Sequence, residues 1–195
     1  MDYCESKQID PEKLIKIWEE FPFIIDCFQI RAKNSSVENV KKTWEYLRTK
    51  TNLRIIVNDH WKLAIEVGAD GFHLGKEDYA LLTESEKDQI RESSLWKGTS
   101  SHSISDLLSL EAHWDYTGFG PIFPTTSKQT QNLPLGKSTL EEAIRISKIP
   151  LVPIGGIDME NFLSIALPKV TKPAGISLFA QEKDFYWIAN KYINS

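Results

Sequence analysis

Residues 53–78 read LRIIVNDHWKLAIEVGADGFHLGKED. LRIIVND is an apolar run of strand length that ends in polar residues. HWKLAIEVG has the length and apolar spacing of a helix, and DGFHLG is a second short strand. A strand, a helix and a strand in such close succession imply a parallel pair joined by a right-handed crossover. The same alternation extends in both directions. Toward the N-terminus, VENVKKTWEYLRTK carries Val37, Val40, Trp44 and Leu47 at helical spacing behind Ser35 and Ser36, which are suited to cap it. Before it comes the strand FPFIIDCFQI. Residues 10–20 form a further helix, with Asp10 as N-cap and Pro11 at the first helical position.

Toward the C-terminus, residues 79–93 read as a polar helix or loop. SLWKGTS, SISDLLSLEAHW and DYTGFG then repeat strand, helix and strand. A loop at 121–136 precedes the helix STLEEAIRISK, the strand IPLVPIGG, the helix MENFLSIAL, the strand AGISLF and the helix KDFYWIANKY. This gives seven strands, each followed by a helix, and one helix in front with no convincing strand before it. The fold class is therefore α/β, and eight helices suit a (β/α)8 TIM barrel with a vestigial or missing first strand. An open doubly wound sheet is the alternative. At 195 residues the chain is short for such a barrel, which typically has about 250. It reads as one domain over residues 1–195, with no repeat and no interdomain linker.

Composition narrows the function classes. The chain is 41% hydrophobic and 26% charged, with 23 Lys+Arg against 27 Asp+Glu, a net charge of −4. That balance ranks nucleic acid and anionic membranes low as partners. Cys4 and Cys27 form no CxxC and no Cys/His cluster at metal spacing, and read as reduced thiols. No basic segment leads into an apolar leader, and no apolar run approaches the roughly 20 residues that span a bilayer. These features lead to the expectation of a cytoplasmic protein.

In a parallel barrel, chemistry sits at the carboxyl ends of the strands. The polar residues that follow the apolar runs are Gln29, Arg31 and Lys33; Asn58 and Asp59; Asp78; Ser100 and His102; Thr125, Ser127 and Lys128; and Gly155 and Gly156. Carboxylates suit a hard metal ion, Arg and Lys neutralise phosphate oxygens, and a Gly-Gly turn offers backbone N–H groups to phosphate. The set therefore points to a phosphorylated substrate and a divalent cation. Gln29, Arg31 and Lys33 alternate, so they share one face of their strand. Asp59 also has the simpler reading of a cap on HWKLAIEVG. His73 reads as a structural residue packed under the end of the HLG strand, His102 as a hydrogen-bonded loop residue, and the six tryptophans as packing residues.

FQIRAK at 28–33, IIVNDHWKLAIEVGADGFHLGKED at 55–78, DYTGFGPIFPTTSK at 115–128 and VPIGGI at 152–157 together resemble the thiamine-phosphate synthase family. The resemblance covers about residues 10–180. It implies a (β/α)8 barrel and a transferase that joins hydroxymethylpyrimidine diphosphate to thiazole phosphate, releasing pyrophosphate with Mg2+. It also implies roles for individual residues. Asp59 and Asp78 match the metal-binding aspartates. Gln29, Arg31, Lys33 and Asn58 match diphosphate and pyrimidine contacts, and Lys128 a further diphosphate cation. Ser100 matches a residue on the pyrimidine side, while Thr125 and Gly156 match the thiazole phosphate site. Arg31, Lys33, Ser100 and Lys128 are the residues expected to assist the departure of pyrophosphate.

The sequence departs from the family pattern at two places. Ser127 replaces the last threonine of its motif and keeps a hydroxyl. Phe179 and Ala180 stand where the family commonly has a serine that grips the thiazole phosphate. Two other readings remain open: a thiazole tautomerase-like isomerase, and a degenerate phosphate-binding homologue without catalysis. Pro121, where the tautomerase group carries a histidine, and Asp78 both favour the synthase.

Overall fold

Ile55, Ile56 and Val57 have no exposed surface at all, so both faces of the strand that carries them are covered. In the computed structural model this strand, β2 (Arg54–Asn58), pairs in parallel with β1 (Cys27–Ile30) and β3 (Gly71–His73). A strand buried on both faces within an α/β fold reads as a continuous apolar run rather than an alternating one. The structure describes residues 10–21, 24–32, 35–125, 133–165, 172–175 and 178–193. They form two compact units, Met1–Lys97 with Ala180–Ser195, and Gly98–Phe179.

In the first unit, α1 (Pro11–Glu19) starts at Asp10, whose carboxylate accepts from the Glu12 amide at 2.9 Å. The next helix, α2 (Val37–Arg48), starts at Ser36 in the same way, with Asn39 as donor. Both caps agree with the sequence reading. Helix α3 (Trp61–Val67) returns the chain from β2 to β3 and ends at Gly68 in the left-handed conformation, φ 63°. The stretch after β3, expected as one polar helix or loop, is two helices, α4 (Lys76–Ala80) and α5 (Glu84–Glu92). The chain restarts at Thr83 because its hydroxyl accepts from the Glu86 amide while Glu86 accepts from the Thr83 amide. The last helix of this unit, α8 (Glu182–Ile193), packs on α1 and the residues that follow it. Phe185 and Tyr186 lie edge-on to Phe21, both with ring centroids 5.7 Å away. Tyr186 donates to Glu20 at 3.1 Å, and Lys13 pairs with Glu182 at 2.7 Å.

The junction of β2 and β3 is closed by Asp70. Its Oδ2 accepts from the buried Ile55 amide at 2.8 Å and from Arg48 Nη1 at 3.0 Å, while Arg48 Nη2 donates to the carbonyls of Leu53 and Thr51. A carboxylate here supplies a ladder acceptor one residue before β3 begins.

The second unit holds most of β4 (Trp96–Ser101) with α6 (Ile104–Leu108), β5 (Tyr116–Phe119), α7 (Gly136–Ile146) and β6 (Leu151–Pro153). Strands β4, β5 and β6 pair in parallel, with Ser100 opposite Gly118 and Phe119 opposite Pro153. Small hydroxyl residues fill part of this interior: Thr99, Ser101 and Thr117 are buried, and Ser101 and Thr117 hydrogen-bond each other at 3.0 Å. Gly98 lies directly under the Tyr116 ring, which occupies the space a Cβ would take.

Hydrogen-bonded neighbours follow chain order, β1-β2-β3-β4-β5-β6. The chain is thus an α/β protein with a parallel six-stranded sheet, and six of the seven expected strands are present. The seventh, AGISLF, shows among the described residues one parallel bridge, at Ala174 opposite Ile154. Pro173 brings no N–H to a ladder, and residues 176–177 lie outside the described residues, as does the segment where a first strand was expected. Among the described residues, no helix is long and apolar enough to cross a membrane.

Candidate active site

The first group of expected residues lies at the ends of β1, β2 and β3. Burial alternates past the end of β1: Ile30 and Ala32 are buried, while Gln29 is exposed and Arg31 half-buried. Gln29 and Arg31 therefore share a face, as their spacing implies. Lys33, the third of that series, lies outside the described residues.

Asn58 closes β2 and is only 7% exposed. Asp59 follows with φ 67°, the one non-glycine residue at positive φ among the described residues. Its amide donates to the His73 carbonyl at 2.8 Å, and its carbonyl accepts from Trp61 at 3.1 Å. The chain thus turns from strand to helix within one residue, with His60 and not Asp59 in the capping position of α3. The reading of Asp59 as a plain helix cap fails. A left-handed aspartate costs of order 1 kcal/mol, and such strain is held where the surrounding structure needs it. Asp78 lies in the first turn of α4, one strand further on, with Oδ2 turned back toward Gly75. Asn58 and His73 are register partners in β2 and β3, so the two aspartates follow adjacent strand ends.

The second group belongs to the other unit. Ser100 lies on β4 and is 7% exposed. Thr125 is half-buried at the end of the 120–125 segment. Gly156 has φ 66°, and a Cβ there would stand 2.3 Å from the Pro124 carbonyl oxygen. Only glycine fits, for both reasons. The Gly156 carbonyl accepts from Asn161 Nδ2 at 2.8 Å, and Asn161 is itself tied to Asp158. The sequence reading above misses this clamp, although the spacing D-x-x-N at 158–161 signals a local side-chain turn. Ser127 and Lys128 lie outside the described residues.

Phe179 stands edge-on to Phe162, with centroids 6.3 Å apart. His102 is hydrogen-bonded, as expected of a loop histidine: its amide donates to Asp106 Oδ2 at 2.9 Å and its Nδ1 lies 2.5 Å from the Gly120 carbonyl oxygen. Among the described residues no three His, Cys, Asp or Glu side chains form a metal cage.

A family model described as thiamine monophosphate synthase matches residues 5–179. The chain belongs to the thiamine monophosphate synthase family. The thiamine-phosphate synthase of Latilactobacillus sakei subsp. sakei is 33% identical over 170 residues, covering 82% of this chain and 74% of that protein. The thiamine-phosphate synthase of Listeria monocytogenes serotype 4b is 34% identical over 183 residues, 87% of this chain and 83% of that one. Among solved structures, thiamine phosphate pyrophosphorylase from Pyrococcus furiosus superposes with a TM-score of 0.74 at 24% identity, covering 96% and 93% of the two chains. That likeness speaks for the fold. The family resemblance read from the four motifs is borne out, and with it the reading of this member of the thiamine monophosphate synthase family as a transferase enzyme.

Proposed function

We propose that this chain joins hydroxymethylpyrimidine diphosphate to thiazole phosphate, giving thiamine phosphate and pyrophosphate. One observation carries the site: the strained Asp59, beside buried Asn58 at the end of β2, with Asp78 at the next strand-to-helix junction. Two carboxylates are few for a closed metal cage. They suit Mg2+, which takes one or two carboxylates and completes its shell with water and substrate phosphate. When bound, Mg2+ would neutralise charge on the diphosphate.

The other roles belong to the chain's own groups. Gln29, Arg31, Lys33 and Asn58 hold the diphosphate and the pyrimidine, and Lys128 adds a cation to the diphosphate. Ser100 orients the pyrimidine side. Thr125, Ser127 and the Gly156 backbone receive the thiazole phosphate. The aminopyrimidine stabilises a benzylic-type cation, so pyrophosphate leaves first and the thiazole ring nitrogen then attacks the carbon it vacates. Negative charge grows on the leaving oxygens, and the cations Arg31, Lys33 and Lys128 lower the barrier by meeting that charge. No general base is required for a ring nitrogen that attacks with its own lone pair. The same reading takes residues 1–195 as one (β/α)8 barrel domain with a vestigial or missing first strand, a cytoplasmic location and small molecules as partners.

The test is direct. Purified protein given both substrates should form thiamine phosphate only with Mg2+ present. Asp59→Ala and Asp78→Ala should each abolish that turnover while leaving the circular dichroism spectrum unchanged. Absence of product from folded wild-type protein would refute the synthase reading and favour the degenerate homologue. Full activity in either variant would overturn the metal assignment.

A further inference from the structure

β4 ends at Ser101 and β5 at Phe119, so Gly120 lies one residue past the ladder that joins them. Its amide still finds a main-chain partner, the Ser101 carbonyl at 3.2 Å. Its carbonyl instead meets His102 Nδ1 at 2.5 Å. A carbonyl only accepts, so Nδ1 carries the proton and the imidazole takes the place of a main-chain donor beyond the strand end. The histidine is itself held: its amide donates to Asp106 Oδ2, and Ser103 Oγ accepts from the Asp106 amide at 3.0 Å.

The path of the chain beyond Gly120 depends on where this peptide sits. The Ile122 amide donates to Ile154 O at 2.8 Å and the Phe123 amide to Gly155 O at 3.1 Å. Pro121 O accepts from Leu135 at 2.8 Å, and Ile122 O from Gly136 at 3.0 Å. A Cβ on Gly155 or Gly156 would collide with the 121–124 backbone or with Pro121. The segment is thus seated on the Gly155–Gly156 turn with no spare room, and it leads into Thr125. Pro121 has no N–H with which to anchor its own end.

We infer that His102 is a positioning residue: by pinning the Gly120 carbonyl it fixes the 120–125 segment against the Gly155–Gly156 turn, and so sets affinity for the thiazole phosphate. This inference rests on the proposed function, in which Thr125 and Gly156 receive that phosphate. His102 acts through the backbone and makes no contact with substrate.

His102→Ala should raise KM for thiazole phosphate roughly five- to tenfold, the scale of one lost hydrogen bond. KM for the pyrimidine diphosphate should change less than about twofold. His102→Asn carries an amide N–H where Nδ1 stands and should restore the wild-type value, whereas His102→Gln, with its donor further out, should not. Hydrogen exchange supplies a readout that needs no substrate: the Ile122 and Phe123 amides should exchange faster in His102→Ala and at the wild-type rate in His102→Asn. If wild-type protein makes no thiamine phosphate, the functional reading fails while the exchange measurement still decides the pin. Unchanged exchange at Ile122 and Phe123, equal rises in both KM values, or an asparagine variant no better than alanine would each overturn the inference. Should His102→Ala fail to fold, the comparison of His102→Asn with His102→Gln decides it.

Discussion

Replacing Asp70 by alanine removes an acceptor from inside a strand junction. Asp70 Oδ2 serves two donors, the Ile55 amide at 2.8 Å and Arg48 Nη1 at 3.0 Å. Ile55 has no exposed surface while Asp70 covers it, so removing Asp70 strips its amide of the acceptor. A stranded buried amide costs about 1–3 kcal/mol. The Arg48 side chain is 28% exposed and that of Asp70 36%, and a partly solvated pair of this kind adds roughly 0.2–1 kcal/mol. Arg48 keeps its bonds to Leu53 and Thr51, so nothing further need be lost. Asp70→Ala should therefore lower stability by about 1–4 kcal/mol, and Tm by roughly 2–16 °C at the 2–4 °C per kcal/mol of a protein this size. Asp70→Asn retains an oxygen for the Ile55 amide and loses only the charge, so it should cost under about 1 kcal/mol. Urea titration of the three proteins measures both numbers. An alanine variant within about 0.5 kcal/mol of wild type, or an asparagine variant as damaged as alanine, would refute the ladder role of Asp70.

Gly98→Ala places a Cβ about where Tyr116 now lies, 2.1 Å from Cζ, and should destabilise by about 1–3 kcal/mol. In a Tyr116→Ala background the same change should cost nothing, because the clash is gone and alanine lowers the entropy of the unfolded chain; equal losses in both backgrounds by urea titration would disprove the overlap. Acid should loosen α5. Hydrogen bonds from Lys62 first, then from the Thr83 amide and hydroxyl, hold the Glu86 carboxyl down at about 2 from an ordinary 4.5. The folded form thus prefers the carboxylate, so its contribution is complete above 4.5 and fades as pH falls toward 2. Glu86→Gln should flatten that part of the acid dependence when urea midpoints are compared between pH 5 and 2.5; an equally steep decline would refute the assignment.

The alternation of strands and helices was legible because each element announces itself locally. Asp10 and Ser36 cap the helices they precede, and the run Ile55-Ile56-Val57 is buried as its composition requires. The two-helix break at 81–83 was also written locally, as T-x-x-E at 83–86, and only needed the capping box to be recognised. What stayed hidden depends on partners distant in sequence. The left-handed turn at Asp59 is fixed by the His73 carbonyl, and the role of His102 by Gly120, 18 residues away. AGISLF has the composition of a strand, and the pairing it shows among the described residues is the bridge of Ala174 to Ile154. The residue types of the site could be read one strand end at a time. The backbone that aims them could not, since Asp59 and Gly156 owe their conformations to contacts made only in the folded chain.

The pairing of α1 with α8 sets an order of events on the ribosome. Register partners in the sheet are close in sequence, as with Ile56 and Gly71 in β2 and β3, so each strand finds its neighbour soon after it is made. Glu20 and Tyr186, by contrast, are 166 positions apart. At a synthesis rate of roughly 5–20 residues per second, α1 waits about 10–30 s for the helix that covers it. During that interval Phe21, just past the end of α1, lacks the Phe185 ring that later packs edge-on to it and is open to other nascent chains. Docking of α8 is therefore the late step in completing this unit, and variants that weaken Phe185 or the Lys13–Glu182 pair should show their damage first as lower soluble yield.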